Sequence, residues 1–281
     1  MGTLDQFPEH RRVLDAVVAA YRDDPRVTGV LLGGSNVAGG MDGYSDVDLD
    51  VVVADAAFDA VFAERDRVVA AAGRPLYRFF ADVPGSDHLY VVLYDTPAGP
   101  VKLDVEYHRA GAVAPASWLT RCRLLFDRTG ALATTLAASA GLPPPAPSAE
   151  ELRDLDQRFW PWCWYAFGKI VRGERWEAVD ALHVIRTRLL VPLIAWGAGF
   201  RLEGSRRIER KADAAVLGRL AATVALPEPD PLYAALQAAI DLYGTLRAPV
   251  FARYGVQTDA GAEDTVRRAI VRRWTERGPA A

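Results

Sequence analysis

The stretch Val30-Leu31-Leu32-Gly33-Gly34-Ser35-Asn36 runs through a glycine-rich connection at 37–45 and returns as Asp46-Val47-Asp48-Leu49-Asp50-Val51-Val52-Val53. Its reading decides the fold. An apolar run over 27–32 and a second over 46–53 read as strands joined by a Gly-Gly-Ser turn. Side chains two apart on a strand share a face. Asp46, Asp48 and Asp50 therefore project together, while Val47 and Leu49 face a core. Glycines let the backbone approach an anion closely, and the Ser35 hydroxyl with free N–H groups can bond phosphate oxygens. Carboxylates on one strand face beside such a cradle suit a divalent cation and a nucleoside triphosphate. A half-buried strand seldom spends same-face positions on aspartate without a cation to neutralise them.

Outward from this stretch, the chain alternates helices and strands. Helical spacing over 8–22 precedes the first strand, and 54–72 reads as one helix ended by Gly73. Strand-like runs follow at 75–81, 88–94 and 101–107, the last two forming a hairpin across the turn Thr96–Pro100, with an edge strand over 121–126. The run Gly141–Ser148 carries four prolines and cannot continue a helix or a central strand. Beyond it the pattern turns helical, at about 149–172, 174–198, 206–223, 230–253 and 261–276. Ser148 and Glu151 have the spacing of a capping box for the first of these. The expected fold is α+β: a catalytic domain over 1–142 with a mixed sheet flanked by helices, then an all-α bundle over 148–281 that covers the substrate or nucleotide, with the active site in the cleft between them.

The order Gly34-Ser35, ten residues, Asp46-Val47-Asp48 resembles the nucleotidyltransferase superfamily that includes DNA polymerase beta and the antibiotic nucleotidyltransferases. Nucleotidyl transfer through two metal ions needs a third acid. Lys102-Leu103-Asp104-Val105-Glu106 supplies Asp104 and Glu106 on one face of a strand. In the antibiotic nucleotidyltransferases the third acid ends an apolar run in a Leu-Asp or Leu-Glu context, and the resemblance assigns Asp104 on that basis. It implies that Asp46, Asp48 and Asp104 are catalytic and bind Mg²⁺, two ions about 3.5–4 Å apart. Gly33, Gly34, Ser35, Asn36 and Ser45 would contact ATP or another triphosphate, with Lys169 and Arg172 neutralising it, and Glu106 would touch the acceptor. Asp50 is expected at the periphery, and Asp42 and Ser45 have the alternative of capping a turn. The segment Lys169–Glu174 is also similar to the helical domains of aminoglycoside and lincosamide nucleotidyltransferases.

The implied activity is transfer of a nucleoside monophosphate, AMP from ATP, to a hydroxyl of a small molecule, an aminoglycoside or lincosamide antibiotic, with release of pyrophosphate. Acidic residues such as Asp82, Asp87, Glu106 and Asp180 suit a polycationic acceptor. The alternatives are a protein-modifying adenylyltransferase and a non-catalytic nucleotide-binding regulatory module. The 281 residues carry a net charge of −3, which gives no general attraction to nucleic acid. Only Cys122 and Cys163 occur, in no metal-ligand spacing, as expected for a reduced cytoplasmic chain. No secretory leader or membrane span is expected, and the protein is read as a monomer or homodimer. The aromatic segment over 159–167 reads as a packed helix, with one or two rings open to a substrate.

Overall fold

The strand β2 (Val47–Val53) alternates fully buried Val47, Leu49, Val51 and Val53 with half-buried Asp48 and Asp50, so one face of it belongs to a core and the other to a polar surface. A computed structural model describes residues 4–81 and 86–277. In it, β2 pairs antiparallel with β1 (Val27–Leu32) and parallel with β5 (Val101–Arg109). With β3 (Pro75–Phe80), β4 (Leu89–Tyr94) and β6 (Arg123–Asp127) these form a mixed six-stranded sheet in the order β3-β4-β5-β2-β1-β6. β5 repeats the alternation of β2: Val101, Leu103, Val105 and Tyr107 are buried, and Lys102, Asp104, Glu106 and His108 lie between them.

The apolar face is covered by α1 (Pro8–Asp23), whose Val13, Leu14, Val17, Val18 and Tyr21 share a core with Val30, Leu32, Leu49 and Val105. Tyr21 and Tyr107 join hydroxyls at 2.5 Å inside it, which satisfies two buried polar groups with each other. On the opposite face a small cluster of Leu31, Val52, Leu119 and Leu132 is buried, toward the β1/β6 side. The remaining polar face is where the carboxylates project.

Two segments of the first unit differ from the sequence expectation. Residues 54–72 do not form one helix: short helical pieces, including α3 (Phe58–Ala63) and α4 (Arg65–Val69), meet at Glu64. There the Glu64 carboxylate takes two hydrogen bonds from Arg26, at 3.0 Å each, and a third from Arg67. α5 (Ala131–Ser139) had no clear periodic signal, being mostly alanine and threonine. The Asp127 carboxylate starts it by accepting the N–H groups of Thr129, Gly130 and Ala133.

The chain divides into two compact units, Met1–Pro143 and Pro144–Ala281, within the proline-rich run. The second unit is helical. α6 (Ala149–Val171) begins on a complete capping box: the Glu151 N–H donates to Ser148 Oγ at 3.0 Å and the Ser148 N–H to Glu151 Oε2 at 2.7 Å. α7 (Arg175–Val184) passes through a widened π turn, Ile185–Leu190, into α8 (Val191–Ala198), where a single helix was expected. Pro192 lacks the N–H that an α-helix would direct to the Arg188 carbonyl, and the widened turn lies directly before it. α9 (Ala214–Ala221) is shorter than the helix expected over 206–223, because Asp213 accepts the Ala215 N–H and starts it there; α10 (Pro229–Arg253) and α11 (Ala260–Glu276) complete the unit. Its core holds Phe159, Cys163, Phe167, Leu182, Leu193, Leu236 and Tyr243. Phe159 and Tyr243 stack at 3.5 Å, and Arg247 joins Asp156 of α6 to Glu263 of α11. Most rings of 159–167 thus pack on or in the core, while Trp164 and Tyr165 remain exposed. Among the described residues no helix is long and apolar enough to cross a membrane.

Candidate functional site

The site is built where β1 turns into β2. The Gly33 N–H donates to the Asp48 carbonyl at 2.9 Å, carrying the β1–β2 ladder into the turn. Gly34 follows with φ 65° and ψ −150°, a backbone region that essentially only glycine occupies. A Cβ built on Gly34 would lie 1.8 Å from Asp48 Oδ2. Both the conformation and the space therefore require glycine, and the turn lies directly against the carboxylate. One helical turn, α2 (Ser35–Ala38), follows, and Asn36 Nδ2 donates to the Asp46 carbonyl at 2.9 Å, which fixes the entry to β2. Ser45 is engaged in a local turn: its hydroxyl donates to Asp42 Oδ1 and accepts the Asp42 N–H. The Ser45 carbonyl is also hydrogen-bonded to His10 Nε2 of α1, at 2.9 Å.

Parallel pairing of β2 with β5 places Asp48 directly opposite Asp104 and Asp50 opposite Glu106. Asp46, one residue ahead of β2, joins the same face through Lys102. The Lys102 ammonium donates to Asp46 Oδ2 and to Asp104 Oδ2, each at 2.8 Å. Burial of Lys102 favours its neutral form, but the hydrogen bonds to Asp104 and Asp46 outweigh this and hold its pKa above the ordinary lysine value. It is therefore a charged ammonium, and the carboxylates beside it are its counter-ions. Lys102 carries no role in the sequence expectation. The period-two alternation that puts Lys102, Asp104, Glu106 and His108 on one face of β5 was the signal available for it.

A second polar group lies further along the same face. His108 Nε2 is hydrogen-bonded to Asp50 Oδ1 at 2.8 Å, and the His108 ring stacks on Trp118 at 5.5 Å. Ser86 donates to Glu106 Oε2. Burial pushes the Glu106 carboxyl above the ordinary glutamate value, against the opposing effect of the Ser86 hydroxyl. Asp50 is thus held by a histidine rather than facing water. Of the acidic residues suggested for a polycationic acceptor, Glu106 belongs to this face and Asp87 is exposed beside Ser86. Asp180 is exposed on α7 of the second unit, and Asp82 lies outside the described residues.

Lys169 and Arg172 stand at the end of α6 in the second unit, tied to acidic neighbours. Lys169 Nζ donates to Glu174 Oε2 at 2.6 Å and lies 3.4 Å from Glu177 Oε1. Arg172 Nε donates to Glu174 Oε1 at 2.5 Å.

Asp46, Asp48 and Asp104 offer hard oxygen donors of the kind Mg²⁺ takes. Among the described residues no three acidic, histidine or cysteine side chains converge closely enough to hold a metal as they stand. Lys102 nevertheless shows that Asp46 and Asp104 already share one cation, so the set fits a cationic group.

The sequence model of the family described as streptomycin adenylyltransferase matches residues 9–269. The chain belongs to that family. It is accordingly an enzyme of the adenylyltransferase type. Among solved structures it is similar to an aminoglycoside 6-adenyltransferase from Bacillus subtilis, at 16% identity over 92% of this chain and 97% of that one, with a TM-score of 0.45. It is also similar to a nucleotidyltransferase-like protein from Exiguobacterium sibiricum, at 14% identity over 82% of this chain and 74% of that one, with a TM-score of 0.40. No curated protein sequence matches the chain.

Proposed function

We propose that the first unit transfers the adenylyl group of ATP to a hydroxyl of an aminoglycoside-type small molecule, releasing pyrophosphate. The observation that carries this reading is the apposition of Asp48 and Asp104 on paired parallel strands, with Asp46 joined to Asp104 through Lys102 and the Gly33-Gly34-Ser35 turn packed on Asp48. The acceptor oxygen attacks the α-phosphorus, its bond to that phosphorus forms, and the bond to the β-phosphate bridging oxygen breaks. Asp104, the more enclosed of the three carboxylates' two Lys102 partners at 17% side-chain exposure against 27% for Asp46, accepts the hydroxyl proton. Ser35 and the backbone N–H groups beside it hold the β- and γ-phosphates. Asp46, Asp48 and Asp104 would hold Mg²⁺, which when bound neutralises the triphosphate and the leaving pyrophosphate. The chain's own contribution is position and fixed charge, the main sources of rate in phosphoryl and nucleotidyl transfer.

Glu106 and the Asp50–His108 pair extend the same polar face and suit the hydroxyl and amino groups of an aminocyclitol sugar. The domain roles follow: the first unit as catalytic domain, and the helical second unit as the part that covers substrate or nucleotide. The test is pyrophosphate release from ATP with Mg²⁺, across streptomycin, other aminoglycosides, a lincosamide and a blank without acceptor. Release that needs an aminoglycoside and falls at least ~100-fold in Asp48→Asn supports the assignment. Release with the lincosamide alone would refute the acceptor class, and unchanged turnover in Asp48→Asn would refute the site.

A further inference from the structure

We propose that Lys102 is a resident counter-cation that competes with a divalent metal for Asp46 and Asp104, and so makes metal loading depend on arrival of the triphosphate. This rests on the reading of these carboxylates as the metal site. Three observations carry it. The ammonium lies 2.8 Å from one oxygen of each carboxylate, the position between them that a shared cation takes. The residue is on β5 two places before Asp104 and pairs with Leu93 of β4, so its Cα is fixed on the same strand as Asp104. Its side chain is 36% exposed on a flexible stem, which leaves it room to swing away without unfolding the strand.

The charge count then sets the order of events. Asp46, Asp48 and Asp104 with Lys102 carry a formal charge of −2. A divalent ion at Asp46 and Asp104 would lie within about 4 Å of the ammonium, where like charges repel strongly even at the effective dielectric of a protein surface. Lys102 and the metal are therefore alternatives at these two oxygens. A triphosphate brings several negative charges to the Gly33-Gly34-Ser35 turn. It compensates the added metal and offers the displaced ammonium a new anionic partner. A lysine that stayed on the pair throughout would lower metal affinity equally with and without the triphosphate.

The experiment is Mn²⁺ binding, read from the electron paramagnetic resonance signal of the free ion. It uses the full chain as wild type, Lys102→Met and Lys102→Arg, each with and without a non-hydrolysable ATP analogue. Without nucleotide, Lys102→Met is expected to bind Mn²⁺ at least ~10-fold tighter than wild type, while Lys102→Arg stays near wild type because it keeps the charge. With the analogue, the gap is expected to close to within ~3-fold, since the ammonium has already left the pair. Equal or weaker binding by Lys102→Met without nucleotide would overturn the proposal, as would a gap that persists with the analogue. Circular dichroism confirms folding, and Lys102→Gln replaces Lys102→Met if the latter fails to fold. Asp48→Asn separates this result from the underlying reading. If its Mn²⁺ affinity with the analogue equals that of wild type, the metal-site assignment fails, whatever Lys102 does.

Discussion

Replacing Gly34 by alanine should damage turnover far more than it damages the fold. Gly34 has φ 65° and ψ −150°, and holding a non-glycine residue there costs ~1–3 kcal/mol. The added Cβ would lie 1.8 Å from Asp48 Oδ2 and 2.7 Å from its Cγ. Reaching an ordinary contact of 3.4 Å requires the carboxylate or the turn to move by roughly 1.6 Å. Asp48 cannot retreat by backbone movement, because its carbonyl accepts the Gly33 N–H and its position on β2 is set by the pairing with Asp104. The carboxylate therefore rotates out of its place, or the turn lifts away from it. A misplacement of ~1 Å at a reacting centre costs on the order of 100-fold in rate. Gly33→Ala is the control: its Cβ would meet Asp50 Oδ2 at 3.7 Å, an ordinary contact, so stability should stay within ~1 kcal/mol of wild type. The assay is pyrophosphate release with saturating ATP and acceptor, beside urea unfolding of both variants. A Gly34→Ala enzyme that turns over within ~3-fold of wild type would refute the argument that this turn and Asp48 are mutually fitted.

Asp104→Asn preserves shape and removes the charge that accepts the acceptor's proton, so kcat should fall at least ~100-fold in the same assay. Glu106→Gln should stabilise the protein at high pH only. Burial raises the folded pKa of Glu106 above its unfolded value, so the folding penalty is absent below the unfolded value and grows as pH rises through the folded one. The variant's urea midpoint should exceed that of wild type near about pH 8 and lose this advantage near about pH 4. Ser148→Ala removes one half of the capping box at the start of α6 and should cost ~1 kcal/mol in denaturant unfolding of the second unit.

The strand-borne elements were legible because period two is a strong signal in this chain. β1, β4 and β6 read from short apolar runs, while alternation in β2 and β5 gave the shared face of Asp48 and Asp50 and that of Asp104 and Glu106. The capping box at Ser148 and the break at the proline run were legible for the same local reason: each depends on residues within a few positions of one another. Breaks at Glu64 and at the π turn before Pro192 were not legible as such, since a long-range Arg26 contact and a hydrogen-bond register decide them. α5 had little amphipathic pattern to reveal it and is started by side-chain acceptance from Asp127.

By itself, the sequence determined which side chains share a strand face, because that follows from backbone geometry over a few residues. Only the tertiary structure decided what those faces meet. The parallel pairing of β2 with β5, across the 47 residues of chain between them, sets Asp48 against Asp104 and carries Lys102 to Asp46. It also brings His108 to Asp50, while Ser86, just ahead of β4, reaches Glu106 across the β4–β5 pairing. Such partnerships depend on strand order and register, and these are selected by burial of the apolar face as a whole. A local pattern contains the face but not its neighbour.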